Sequence, residues 1–160
     1  MPLKVLSVLV VALSLVFTAV AAEKKGVQVG FWFNVPEDIG GDTIKGVRFG
    51  LPIAAGWGVR GAELSLLASA SRYVDGFQTT LLGFTSARTL HGCQLSLVNV
   101  VRENVRGRGA QIGLYNHSVA KGVQIGLINY CGDNAEVQVG LINVNLHGWM
   151  PVMLFVNLAR

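Results

Sequence analysis

A chain of 160 residues with 51% hydrophobic and 14% charged residues falls within the range of one domain and is too apolar for a disordered or solvating protein. Its net charge of +4 is spread thinly apart from Arg102, Arg106 and Arg108. That excludes the basic stripe with interleaved aromatics, or the reading motif, of a nucleic-acid binder. Two cysteines, Cys93 and Cys131, are too few for a disulfide scaffold.

The chain opens on an export signal. Lys4 gives a positive start, Val5 to Phe17 is an apolar run, and Thr18 to Ala22 supplies small residues before Glu23-Lys24-Lys25. The run is short for a bilayer core of roughly 30 Å, so cleavage after Ala22 is expected rather than a membrane span. Residues 1–22 are then the signal peptide and residues 23–160 a single β-repeat domain. No cysteine stands near the cut, so there is no acceptor for a lipoprotein anchor.

From Gly26 onward one unit recurs: glycine, apolar, Gln, apolar, Gly or Ser, Leu, apolar, Asn. Its first copy, Gly26 to Asn34, carries one extra residue before its Asn. Degenerate copies begin at Gly46, Gly61 and Gly76; the first two lack both Gln and Asn, and Glu63 holds the Gln position. Clear copies follow at Gly92 to Asn99, Gly109 to Asn116, Gly122 to Asn129 and Ala135 to Asn143, the last with Glu136 inserted. A worn copy, Val152 to Asn157, closes the chain. The repeat positions are Gln28, Gln78, Gln94, Gln111, Gln124 and Gln138, and Asn34, Asn99, Asn116, Asn129, Asn143 and Asn157. The period drifts around fifteen, so phase is kept by Gln and Asn.

Within a unit Val123, Ile125 and Leu127 alternate with Gln124 and Gly126, the period of a strand with one strongly apolar face. Two glycines per unit argue against a helix, each costing roughly 1 kcal/mol relative to Ala. Two all-β architectures can use such a unit: a parallel β-solenoid with one coil per unit, or a small antiparallel β-barrel of the outer-membrane kind. In a barrel, successive strands start in opposite environments, yet here every clear copy runs from Gly to Asn. The solenoid is therefore expected, with stacked Asn side chains forming an amide ladder. Glycine at the unit start suits a turn with positive φ.

The unit Gly122-Val-Gln-Ile-Gly-Leu-Ile-Asn129 resembles the bacterial surface-repeat family of leptospiral type, whose units look like G-[LVA]-Q-[LIV]-G-[LV]-[VI]-N. The run Gly148-Trp149-Met150-Pro151 is similar to how some members end. The resemblance implies an exported, envelope or surface protein with a structural or interaction role and an envelope or surface partner, with outer-membrane association in the barrel alternative. It implies no catalytic residues.

The residues themselves offer no catalytic, cofactor or metal site. His91, His117 and His147 fall at different phases between units, so they are expected on the surface and not in one metal site. The acidic residues form no fixed pair, no serine has a histidine and an acid placed by a motif, and Gly107 and Gly109 lack the lysine and hydroxyl of a phosphate loop. Cys93 takes an apolar position and reads as a small core residue, while Cys131 falls just past an Asn in a connecting segment; the difference in phase argues against a bridge. Aromatics at Phe31, Trp32 and Phe33 and at Trp149 and Phe155 bracket the array. They are expected to cap the stack, with a membrane-interface belt as the alternative.

Overall fold

The computed structural model describes residues 26–31, 43–103, 107–119, 121–133 and 135–160. The signal segment, Trp32, Phe33, Asn34 and Arg106 lie outside the described residues. The described chain has strands and no helix: β1 (Val27–Phe31), β2 (Thr43–Leu51), β3 (Ile53–Ser65), β4 (Ala68–Thr80), β5 (Phe84–Leu95), β6 (Val98–Val101), β7 (Arg108–Ile112), β8 (Tyr115–Ser118), β9 (Lys121–Cys131), β10 (Val137–Asn145) and β11 (Val152–Leu158). Every pairing from β1 to β10 is parallel, as in Gln111 with Gln124 and Asn129 with Asn143. The fold is a parallel β-solenoid of about seven turns, which excludes the antiparallel barrel.

The drifting period does not disturb the register. Gln78, Gln94, Gln111, Gln124 and Gln138 form one column, and Asn99, Asn116, Asn129 and Asn143 another. Differences in coil length are taken up elsewhere, at the corner Leu81–Gly83 and in the segments after Val101, Ser118 and Cys131. The degenerate copies fold as the clear ones do, with Arg48 and Glu63 in register in the Gln column.

What the core is made of departs from the usual rule. The Gln and Asn columns from Glu63 onward are 0–2% exposed, whereas Ile125, Leu127 and Ile128 are 42–54% exposed. The strand alternation is real, but its apolar face points outward. The buried apolar cluster is small: Val74, Ala87, Leu90 and Val101.

Such a core holds together because its amides satisfy one another, which removes the penalty of burying them alone. Asn99 Nδ2 donates to Asn116 Oδ1 at 2.8 Å, Asn116 Nδ2 to Asn129 Oδ1 at 2.7 Å, and Asn129 Nδ2 to Asn143 Oδ1 at 2.8 Å. The Gln ladder donates the opposite way: Gln138 to Gln124 at 2.7 Å, Gln124 to Gln111 and Gln111 to Gln94 at 2.9 Å, and Gln94 to Gln78 at 2.7 Å. Second amide hydrogens brace the coil, with Gln124 Nε2 also donating to the Tyr130 carbonyl and Asn116 Nδ2 to that of Ile125.

The Gln ladder ends on a charge. Gln78 Nε2 donates to Glu63 Oε1 at 2.8 Å, Ser69 and Ser71 donate to the same carboxylate, and Arg48 Nη1 donates to Oε2 at 2.9 Å. Arg48 spends its other donors on Gln28 Oε1, Ser71 Oγ and the Gly58 carbonyl. Glu63 can only accept, so it sets the direction in which the whole ladder donates. At the far end Gln138 Oε1 is buried with no donor, because no further parallel coil follows.

Stability should therefore respond to substitution in reverse of the ordinary pattern. Asn116→Leu leaves Asn99 Nδ2, Asn129 Oδ1 and the Ile125 carbonyl each short of a partner, and is expected to cost at least about 3 kcal/mol. Leu114→Ser, on the outside of the same coil, should stay within about 0.5 kcal/mol. Urea unfolding followed by circular dichroism tests the order; equal costs would show that the ladder contributes nothing beyond its shape.

The last repeat copy departs from expectation. β11 pairs antiparallel with β10, setting Asn157 opposite Gln138 rather than over Asn143. Asn157 is buried and donates to the Met150 carbonyl, so it closes the stack instead of extending the ladder. A hairpin return lets one strand cover the Gln138 layer from above, which a further coil would leave open again.

Candidate functional site

The outer surface is the feature the fold assembles. Each coil changes direction at a corner, and from β2 onward the residue there is a leucine: Leu51, Leu66, Leu81, Leu97, Leu114, Leu127 and Leu141, all 37–71% exposed. The residue just before the leucine is Gly, Ser or, once, Thr. A Cβ at Gly113, Gly126 or Gly140 would come within 2.2 Å of the carbonyl oxygen of the coil below. The leucine beside it is thereby forced outward on a convex edge.

Further outward columns flank the leucines. On one side run Val123, Ile125 and their counterparts Val137 and Val139; on the other run Ile128 and Ile142, then Tyr130 and Val144. No charged residue falls in these columns among the described residues. At about 4.8 Å per coil the leucine column is roughly 29 Å long, and the four columns nearest it span about 20 Å around the corner. An apolar ribbon of that size exceeds the isolated exposed hydrophobics normal on a soluble surface.

Charge collects along the two margins of the ribbon. One margin is the in-register column Lys45, Arg60, Asp75, His91, Arg108 and Lys121, all exposed. The other carries Trp57, Arg72, Arg88 and Arg102, also exposed, with the Arg72 guanidinium 4.2 Å from the centre of the Trp57 ring. Acidic partners are few: Asp75 lies 4.0 Å from Arg60, and Glu136 pairs with Arg108 at 2.5 Å.

The histidines are distributed otherwise than the spacing suggested. His91 and His117 lie within strands, and only His147 lies in a connection, its Nδ1 3.0 Å from the Asp133 carbonyl. His117 is half-buried with its ring edge-on to Tyr130 at 5.0 Å, and burial, with the Arg102 charge, lowers its pKa below the ordinary histidine value. They do not converge, and no group of three or more metal-ligating side chains occurs among the described residues.

The cysteines exchange the places expected of them. Cys93 is half-buried on the outward face, opposite Phe77 and Ala110, because its position alternates with buried Gln94. Cys131, at the end of β9, is the core residue, opposite Ser118 and Asn145. Burial raises both thiol pKa values, and no disulfide joins them. Trp149 and Phe155 are 70% and 67% exposed, so neither covers the last layer; β11 performs that closure.

Sequence reasoning missed Arg48 as the partner of Glu63 and missed the outward leucine column. Both were signalled, the first by opposite charges at one repeat position fifteen residues apart and the second by the constancy of Leu. Compared with known protein families, with curated proteins and with solved structures, the chain matches none.

Proposed function

We propose that this chain is an exported, non-enzymatic repeat protein of the cell envelope or surface, resembling the leptospiral type, whose apolar outer ribbon is its interaction surface. The observation that supports this reading is the inversion of the fold: polar ladders fill the interior while a leucine column lies open along the whole stack. A rigid β-scaffold that spends its apolar side chains outside gains nothing for its own core. Those side chains have value only against a partner. The export signal read over residues 1–22 supports a partner beyond the inner membrane.

Fractionation of the native cell, with intact-mass measurement, tests the reading. The protein is expected in the envelope fraction or medium with Glu23 at its N-terminus. Recovery from the cytoplasm with Met1 retained would overturn it.

A further inference from the structure

The convex ribbon has a definite shape and a definite electrostatic frame, and the two together select among occupants. Its apex is a ridge of single leucines on a bend, so a second copy docked ridge to ridge would meet it along a line and bury little area. A fluid apolar phase has no such difficulty. It closes around a ridge, and a negative surface on either side of the ridge would attract both margins.

We propose that the ribbon docks on an anionic lipid bilayer, the leucine ridge entering the headgroup and acyl boundary while the two basic margins meet lipid headgroups. The arrangement is that of an amphipathic interfacial element built from stacked strands instead of a helix: an apolar stripe, basic flanks, and amphipathic aromatics at the border. Trp57 and Tyr73, 41% and 51% exposed, stand at the border beside Arg72. Trp149 and Phe155 extend the apolar exposure past the last coil. Backbone groups raise no obstacle, because along the ribbon each coil is hydrogen-bonded to its neighbours within the sheet. The charged margins limit how deeply the stack enters, so it lies on the bilayer and does not span it.

This proposal rests on the reading of the outer ribbon as the interaction surface and names its partner. The test is flotation of the purified protein with vesicles of phosphatidylcholine alone or with one part phosphatidylglycerol to three parts phosphatidylcholine, at low and high salt. The wild-type protein should float with the anionic vesicles at low salt, and at least about tenfold less with the neutral ones or at high salt. Leu114→Glu with Leu127→Glu should abolish flotation, while Arg72→Gln, Arg88→Gln and Arg102→Gln together should weaken it at least about tenfold and flatten the salt dependence. Leu114→Ser with Leu127→Ser repeats the first test without added charge, and circular dichroism checks that each variant keeps its strand content.

Equal flotation of wild type and both leucine variants would overturn the proposal. So would a protein that stays at the bottom with every vesicle. In that case sedimentation of the same samples separates the two readings. Self-association broken by the leucine substitutions would refute lipid docking and keep the ribbon as an interaction surface, whereas no change in either assay would remove both.

Discussion

Arg48→Met is expected to lower the free energy of unfolding by about 3–5 kcal/mol, because it leaves the Glu63 carboxylate buried without its counter-charge. Both side chains are fully buried, and the carboxylate receives Gln78, Ser69 and Ser71 besides Arg48. Neutral donors alone solvate an ion less well than a bonded guanidinium does. The double variant Arg48→Gln with Glu63→Gln should recover to within about 1 kcal/mol of the wild type. It replaces the ion pair by two further rungs of the amide ladder, the arrangement the clear repeats already use. Urea unfolding of the three proteins decides: a single variant costing under about 1 kcal/mol, or a double variant as damaged as the single, would mean that the pair does not terminate the ladder as described.

Gly76→Ala is expected to cost at least about 3 kcal/mol, the result of adding one methyl group at a position with φ of 134°. A Cβ there would stand 2.1 Å from the Gly61 carbonyl oxygen, and that oxygen is fixed by the stack beneath it. The same contact recurs up the column, at Gly92 against Gly76 and at Gly122 against Gly109, so it cannot relax by moving one coil without moving the next. Gly132→Ala is the control. Its nearest neighbours would be side-chain atoms at 3.6 and 3.9 Å, and it should change stability by no more than about 0.5 kcal/mol. Thermal unfolding of the pair compares them directly, and a tolerated Gly76→Ala would show that the coils can part at this column.

Much of this architecture is legible in the order of the residues. Gly, Gln and Asn recur in one order and one sense, and only a parallel stack brings like over like; Gln111 over Gln124 and Asn129 over Asn143 are what that reading requires. Gly46, Gly61, Gly76, Gly92 and Gly122 were legible as positive-φ positions too, although Gly109 is not one and the others bend continuous strands such as β3 and β4 where a turn was expected. The drifting period misled only about regularity, since a solenoid tolerates loops of unequal length provided its ladder columns stay in phase.

The inside and the outside were not legible. Alternation shows that two faces differ but not which of them meets the interior, and the usual preference for buried apolar groups placed Cys93 in the core and Cys131 in a connection. The preference fails because a parallel register lets each amide find its partner one coil away. Burying Gln124 or Asn116 then costs little, whereas the narrow coil leaves no space inside for Leu114 or Leu127 beyond the corner glycines. The fate of the last copy is likewise tertiary, for Val152 to Asn157 reads as one more repeat until β11 folds back along β10. The sequence by itself determined the unit, its phase and the parallel stacking, because these are matters of spacing. The tertiary structure decided which face is buried, how the ladder is terminated by Arg48 and Glu63, and where the basic margins fall, because these depend on which side chains the closed coil brings within reach of one another.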